Sequence, residues 1–197
     1  MQASLAQKFA AALETPRLWL EPLGAHHAEA YFPLLQDESL YRWISMNKPA
    51  SVEGLRQNWQ NIESRVSPDQ QFAWPTWAVR RKADGLYVGE VDAEINAAFE
   101  AINFGYYFFS PFWGQGYASE AVDAATLHLM QRGVRRLVAT VTVGNAASAR
   151  VLQKAGYQFT RVLPANDQIR GVPVDDEEYV KSSHPPPKTS AKAPPPQ

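Results

Sequence analysis

The segment between Ser110 and Ala121 contains residues whose types and spacing suit the binding of an anion. A predicted strand ends just before it, Gly114 and Gly116 stand one residue apart within it, and a predicted helix follows. The free N–H groups at a helix start and the positive end of the helix dipole attract negative charge. Glycine lets a phosphate approach the backbone because no Cβ stands in the way. The segment indicates a phosphate site, although an ordinary strand-to-helix turn would have the same pattern.

Two common nucleotide-binding motifs fit this segment poorly. A Walker loop requires a Gly-Lys-Ser/Thr ending, which is missing here. A dinucleotide fingerprint requires a third glycine where Ser119 stands and an acidic residue at the end of the next strand, where Val143-Gly144-Asn145 stand. The strand that enters the loop also belongs to a predicted antiparallel meander, which the dinucleotide fold does not have.

A second group of residues with chemical potential lies on one predicted strand. The alternation of side chains puts Glu90, Asp92 and Glu94 on one face and apolar side chains on the other. Carboxylates in such a row can attract an ammonium group and accept a proton from it. The same alternation is also typical of a solvated face with the core behind it.

The absence of cysteine limits the chemistry. A cysteinyl acyl-enzyme, a thiolate metal site and a disulfide are all excluded, and no metal site is predicted. His26 and His27 open a predicted helix and His128 lies on the helix after the glycine loop, so we expect all three to be structural or exposed.

These residues depend for their positions on a regular series of predicted elements. Strands are predicted over residues 17–20, 77–81, 86–95, 101–109, 137–143, 157–163 and 176–181. Amphipathic helices are predicted over residues 28–35, 52–66, 118–129 and 145–155, with Ser51 and Asn145 as N-caps. The order of strand, two helices, antiparallel meander and then helix, strand, helix and strands predicts an α+β fold with a mixed sheet.

Composition narrows the class of protein. Nineteen Lys and Arg residues stand against twenty Asp and Glu residues, so the chain has no electrostatic footprint for nucleic acid or an anionic membrane. No apolar run approaches the roughly 18 residues of a membrane helix, and the N-terminal apolar segment is too short for a signal peptide. We expect a cytoplasmic protein with an N-terminal extension (1–14), one domain (15–183) and a disordered Pro-rich tail (184–197).

Two segments resemble motifs of the GNAT acyl-CoA N-acetyltransferases. Trp113-Gly-Gln-Gly-Tyr-Ala118 is similar to their Arg/Gln-x-x-Gly-x-Gly/Ala pyrophosphate loop, with Trp113 as a departure at the Arg/Gln position. An aromatic residue is common there in the ribosomal-protein (RimJ/RimL-like) branch. Asn145-Ala-Ala-Ser-Ala-Arg-Val-Leu-Gln-Lys-Ala-Gly-Tyr157 resembles the second segment of that branch, and Thr15-Pro-Arg-Leu-x-Leu resembles its N-terminal start. The resemblance covers residues 15–181.

The resemblance implies a mostly antiparallel mixed sheet, flanked by helices, in which the strands 101–109 and 137–143 splay apart to form an acyl-CoA cleft. It places the pyrophosphate on residues 114–119 and the pantetheine arm in the gap. The implied cofactor-binding residues are Tyr107, Phe108, Phe109, Gly114, Gln115, Gly116, Tyr117, Ala118, Ser119, Asn145, Ser148 and Arg150, with Lys154 as a further partner for outer phosphates.

The resemblance also implies catalytic roles. A backbone N–H near Tyr107–Phe109 would polarise the thioester carbonyl, and the Asn145 side chain would reach the pantetheine amide. Many members place a tyrosine that acts as the acid seven residues after this asparagine, where this chain has Leu152. This leaves Ser148 as the acid or thiol contact, and the alternative is that Ser148 is a small residue for close packing. Glu90 and Asp92 are the candidate bases. Asp175 and Asp176 occupy the region where related enzymes often place an acceptor-site acid.

The implied activity is transfer of an acetyl group from acetyl-CoA to a primary amine by direct attack in a ternary complex. The amine would belong to a protein N-terminus or to a small molecule, and the aromatic segments 41–43 and 72–74 would either shape its pocket or belong to the core. A non-catalytic acyl-CoA-binding module is the alternative. The resemblance further implies a homodimer or higher homo-oligomer.

Overall fold

A computed structural model describes residues 3–183 of the chain. Its helices are α1 (Ala3–Phe9), α2 (Ala28–Tyr31), α3 (Val52–Ile62), α4 (Tyr117–Gln131) and α5 (Ala146–Lys154). Its strands are β1 (Leu13–Glu14), β2 (Leu18–Pro22), β3 (Thr76–Arg81), β4 (Tyr87–Ile95), β5 (Glu100–Phe108), β6 (Arg136–Thr142), β7 (Gln158–Ile169) and β8 (Val172–Ser182). Within this part of the chain the strands form one sheet in the order β1-β2-β3-β4-β5-β6-β8-β7.

The sheet is mixed and mostly antiparallel, as predicted. Strands β1 to β5 pair antiparallel with their neighbours, and β6, β8 and β7 do the same. The parallel junction between β5 and β6 consists of two register pairs, Glu100 with Arg136 and Ala101 with Leu137. Beyond Ala101 the two strands separate, which confirms the predicted splay.

Apolar side chains form a cluster on each face of the sheet. Val79 belongs to the larger cluster, which contains side chains of α1, α4 and α5. Its neighbour Ala78 belongs to the smaller cluster, which contains side chains of α2 and α3. Successive side chains of a strand point to opposite faces, so β3 holds both clusters together.

The N-terminal segment packs against the larger cluster. Phe9 on α1 is fully buried and its ring meets the edge of Phe99. The indole of Trp77 donates a hydrogen bond to the Ala11 carbonyl at 2.9 Å, and β1 extends the sheet beside β2. The predicted N-terminal extension therefore contains a helix, α1, which contributes to the core.

Two helices are shorter than predicted. Helix α2 covers only Ala28–Tyr31, because Pro33 lacks the N–H that a continuing helix would need, and a 3₁₀ turn follows at Leu34–Gln36. Helix α3 begins after the Ser51 cap, whose hydroxyl accepts from the Gly54 N–H at 3.0 Å, but it ends at Ile62 rather than Val66.

The hairpin of β7 and β8 is longer than predicted, since it continues to a turn at Arg170 and Gly171. A bulge between Leu163 and Asp167 accommodates residues 164–166, including Pro164. Among the described residues no helix has the length and apolar character that a membrane crossing requires. The predicted disordered tail, 184–197, lies outside the described residues.

Candidate active site

A cleft of about 380 Å³ opens where β5 and β6 separate. Its walls are the end of β5, the glycine loop with the start of α4, the helix α5 and the segment 40–44. The sequence-predicted residues that line it are Tyr107, Phe108, Gly114, Gly116, Tyr117, Ala118, Ser119, Asn145, Ser148, Arg150 and Lys154. Phe109, Gln115, Glu90 and Asp92 do not line it.

The glycine loop has the geometry of an anion site. Gly114 and Gly116 adopt positive φ angles of 74° and 81°, a left-handed conformation that glycine adopts without strain. Gly116 is the N-cap of α4 and supplies no side-chain acceptor to the N–H groups of the first turn. The start of the 15-residue helix α4 therefore presents its dipole and backbone donors to the cleft.

An ion pair between Arg17 and Glu120 holds the glycine loop in place. The Arg17 guanidinium donates through Nη1 to the Gln115 carbonyl at 3.0 Å and through Nε to Glu120 Oε2 at 2.6 Å. It also lies over the Tyr117 ring, 4.7 Å from the ring centroid. Burial raises the pKa of Glu120, but hydrogen bonds from Thr15 and Arg17 outweigh this effect and hold that pKa below its ordinary value. The loop is thus attached to the start of β2.

Gln115 takes part in the loop through its backbone. Its side-chain Nε2 donates to the Pro111 carbonyl at 3.0 Å. Because Arg17 holds the Gln115 carbonyl, the N–H of Gly116 in the same peptide plane points the opposite way.

Trp113, which replaces the expected Arg or Gln, lies at the edge of the cleft. Its indole Nε1 donates to the Phe108 carbonyl at 2.5 Å, and half of its surface remains exposed. The aromatic residue therefore connects the loop to the end of β5, where a cationic or amide side chain was expected.

One set of backbone N–H groups on β5 faces the gap between β5 and β6. Phe109 donates its N–H to the Val88 carbonyl of the neighbouring strand, and its ring is buried beside Tyr31. In an antiparallel ladder the N–H groups alternate in direction, so those of Phe108 and Tyr106 face the gap. Of the three residues predicted to polarise a carbonyl, Phe108 has the suitable orientation.

Ser148 and Tyr106 meet across the cleft. Asn145 caps α5, with its side-chain oxygen accepting from the Ser148 N–H at 3.2 Å. The Ser148 hydroxyl lies 2.7 Å from the Tyr106 hydroxyl, which also lies 3.0 Å from the Ser148 carbonyl. Leu152, at the position of the expected tyrosine, is fully buried in the core.

The carboxylate row lies on β4, the strand next to the one whose end forms a wall of the cleft. The Tyr107 hydroxyl donates to Glu90 Oε2 at 2.6 Å. Burial and the charge of Asp92 raise the pKa of Glu90 to about 8, against the hydrogen bond from Tyr107. Burial and the charge of Glu94 raise the pKa of Asp92 to about 6. The row is partly buried rather than a solvated face, and both groups titrate near neutral pH.

The other candidates have structural partners. Asp175 accepts from the Ala165 N–H and buried Asp176 accepts from the Asn166 amide, both at 2.8 Å, so both brace the β7–β8 bulge. His27 is buried, and His128 is buried with its Nε2 2.8 Å from the Phe9 carbonyl. Residues 3–183 contain no group of three His, Asp or Glu side chains arranged to hold a metal ion.

The structure divides the aromatic segment 41–43 between the two predicted alternatives, and it adds two site residues that the sequence did not identify. Trp43 lines the cleft, whereas Tyr41 is core and donates its hydroxyl to the Leu35 carbonyl; residues 72–74 do not line the cleft. Tyr106 and Arg17 were missed as site residues, since their partners are 42 and 98–103 residues away in the chain. For Arg17 the only signal was its place in the Thr15-Pro-Arg-Leu segment.

Comparisons with known proteins agree with this geometry. Residues 17–158 match the family model described as acetyltransferase (GNAT) domain. An uncharacterized N-acetyltransferase of Bacillus subtilis, YoaA, is 27% identical over 169 residues, which are 85% of this chain and 94% of that protein.

Among solved structures, the RimL ribosomal L7/L12 α-N-protein acetyltransferase in complex with coenzyme A superposes with a TM-score of 0.77 at 20% identity, covering 87% of this chain and 98% of that one. The ribosomal-protein-S5-alanine acetyltransferase from Vibrio fischeri gives a TM-score of 0.76 at 19% identity, with 87% and 96% covered. RimJ of Mycobacterium smegmatis gives 0.74 at 19% identity, with 84% and 82% covered.

Proposed function

This chain belongs to the GNAT acetyltransferase family and is an N-acetyltransferase, and from that premise we propose that it moves the acetyl group of acetyl-CoA to a primary amine by direct attack within a ternary complex. The single observation that carries the proposal is the cleft between β5 and β6, with an anion-binding helix start at one side and the Ser148 hydroxyl at the other. The RimL structure contains coenzyme A, and the structure of the microcin C7 self-immunity acetyltransferase MccE contains acetyl-CoA and AMP.

The cosubstrate phosphates would be held mainly by backbone groups. The N–H groups of residues 115–118 offer donors to the pyrophosphate, and the Ser119 hydroxyl adds another. Arg150 and Lys154 line the same cleft and supply positive charge for outer phosphates. Arg17 supports this arrangement indirectly, because it neutralises Glu120, whose carboxylate would otherwise repel an anion at the same helix start.

Two groups would stabilise charge that develops during transfer. The N–H of Phe108, which faces the gap, would donate to the thioester oxygen as it becomes negative. The Ser148 hydroxyl would donate to the departing thiolate. With no cysteine in the chain, a cysteinyl acyl-enzyme is excluded, and this favours direct attack by the amine.

Asp92 and Glu90 would receive the proton of the amine through a bridging water or hydroxyl, because neither side chain lines the cleft. A carboxylate with a pKa of about 6 is ionised at pH 7.5 and accepts a proton more readily than an ordinary aspartate does. Glu90, with a pKa of about 8, is largely protonated at that pH. We therefore assign the base role to Asp92 and a supporting role to Glu90, which contacts the cleft wall through Tyr107.

The acceptor in this proposal is a protein N-terminal α-amine or a small-molecule amine. Structural likeness to RimL and to the S5-alanine enzyme supports the first class. Likeness to MccE, whose structure contains AMP, supports the second class, the small-molecule amines. Apolar and aromatic side chains of the segment 40–44 line the cleft and would contact the acceptor.

The test has two stages. Isothermal titration with acetyl-CoA measures binding, and thiol release in the presence of N-terminal peptides or small amines measures transfer. Binding together with amine-dependent thiol release is the expected result. Binding without release for any amine would indicate the binding-module alternative, and no binding at high micromolar concentration would refute the proposal. Light scattering in the same buffers tests the predicted homodimer.

A further inference from the structure

We propose that Tyr106 is a positioning residue that turns the Ser148 hydroxyl toward the sulfur of the acyl donor. This inference rests on the proposed function, because it assumes that Ser148 donates to the departing thiolate. Many relatives are expected to protonate the thiolate with a tyrosine on the helix that begins at their asparagine. In this chain, a tyrosine on strand β5 would assist the serine that takes that role.

The position of Tyr106 makes this contact feasible. Its strand has already separated from β6, which it leaves after Ala101. No residue of β6 is paired beside Tyr106, and its hydroxyl reaches the first turn of α5. Tyr106 lines the cleft together with Ser148, so the pair lies within the space proposed for the acyl donor.

Hydrogen-bond counting gives the pair two arrangements. The Tyr106 hydroxyl has one proton and lies near two acceptors, the Ser148 carbonyl at 3.0 Å and the Ser148 hydroxyl oxygen at 2.7 Å. If tyrosine donates to the carbonyl, the serine proton points back to the tyrosine oxygen. If tyrosine donates to the serine oxygen, the serine proton is free to point into the cleft.

The second arrangement is the one that helps the reaction. A thiolate in the cleft attracts the serine proton, and the hydrogen bond from tyrosine then stabilises the serine oxygen as it gives up proton density. Burial raises the pKa of Tyr106, so its hydroxyl keeps its proton and remains a donor across the physiological range. Among the described residues, the hydrogen-bond partner of the Ser148 hydroxyl is the Tyr106 hydroxyl, so Tyr106 sets the direction of the serine hydroxyl.

The experiment is a double-mutant cycle of Tyr106→Phe and Ser148→Ala, with kcat, the acetyl-CoA Kd and the melting temperature measured for each variant. Tyr157→Phe is the matched control, because it removes another largely buried tyrosine hydroxyl, bonded to Thr126 at 3.1 Å, and leaves Ser148 untouched. Tyr106→Phe should lower kcat by about tenfold with the Kd within about twofold of the wild type. In the Ser148→Ala background it should change kcat by less than about twofold, because the partner is already missing.

Equal losses of kcat in both backgrounds would overturn the inference, since Tyr106 would then act independently of Ser148. A kcat within twofold of the wild type for Tyr106→Phe, or a loss no larger than that of Tyr157→Phe, would overturn it as well. These outcomes leave the proposed function intact. A wild-type chain that binds acetyl-CoA but releases no thiol with any amine would overturn the transfer reaction, and the inference with it.

Discussion

Arg17 and Glu120 form an ion pair at 2.6 Å although 103 residues separate them in the chain. The pair joins the start of β2 to the first turn of α4, and the same guanidinium holds the Gln115 carbonyl of the glycine loop. The face of the loop that we propose to bind the phosphates therefore depends on a side chain that lies outside the cleft.

Replacement of Arg17 by alanine should weaken acetyl-CoA binding by about fivefold or more. The Gln115 carbonyl loses its donor and Glu120 becomes an unpaired negative charge at the helix start. Isothermal titration gives the affinity. Arg132→Ala is the control, because Arg132 donates to the Lys8 carbonyl away from the cleft. Equal affinities for the two variants would show that the clamp has no effect on the loop.

Gly116→Asp should abolish measurable acetyl-CoA binding while the protein remains folded. The substitution puts a carboxylate at the helix start and a side chain on a residue with φ of 81°. Gly171→Asp is the matched control, since Gly171 has φ of 78° and open space around it at the hairpin tip. If both variants bind acetyl-CoA like the wild type, the phosphates do not lie on this loop.

Asp92→Asn should lower kcat by more than about tenfold, because it removes the assigned proton acceptor. In the wild type, kcat/KM should fall on the acidic side with an apparent pKa near 6, a value that belongs to the coupled row. Glu94→Gln should move this limb to lower pH, because the charge of Glu94 raises the pKa of Asp92. A pH profile of Asp92→Asn with the wild-type limb would exclude Asp92 as the base.

Glu90→Gln should stabilise the protein at alkaline pH. The folded-state pKa of Glu90, about 8, lies above the ordinary value of about 4.3, so the folded state binds the extra proton between these values. Stability from this group is thus lost as the pH rises from about 4 to about 8. Thermal melts should show a melting temperature a few degrees above the wild type at pH 9 and almost no difference at pH 4. The same gain at both pH values would contradict the assigned pKa.

Phe9→Ala should cost about 3–5 kcal/mol of unfolding free energy, the range for a large buried aromatic side chain. Phe9 is fully buried and contacts Phe99, and its carbonyl oxygen lies 2.8 Å from the His128 Nε2. Urea denaturation measures the loss. Lys8→Ala, next to it and exposed, serves as the comparison. A loss below about 1 kcal/mol would mean that α1 is dispensable.

Local pattern was sufficient for much of the fold. Period-2 alternation located β4 and β5 to within a residue, and Asn145 caps α5 where the N-cap preference placed it. The two-glycine loop could be predicted because positive φ angles favour glycine and because an amphipathic pattern marks the helix that follows. The predicted strands 157–163 and 176–181 stop short of the observed hairpin, which continues through Pro164 and Pro173 with a bulge.

The sequence pattern could not predict contacts between residues that are far apart in the chain. Tyr106 looks like any other aromatic residue of a strand, and its contact with Ser148 exists only because β5 leaves β6. The raised pKa values of Glu90 and Asp92 depend on burial by elements elsewhere in the chain, whereas alternation alone suits a solvated face equally well.

The two-pair junction between β5 and β6 has a consequence for how acyl selectivity could evolve in this protein. Widening the gap breaks no ladder hydrogen bond beyond Ala101. Backbone pairing therefore does not limit the size of the acyl group that enters. The contacts between the walls of the cleft are made by side chains instead: Tyr106 meets Ser148, and Trp43 lies beside Gly144, where a Cβ would be 3.7 Å from the indole. Bulkier acyl donors could thus be admitted by single substitutions at these spans, while the sheet that carries them keeps its register.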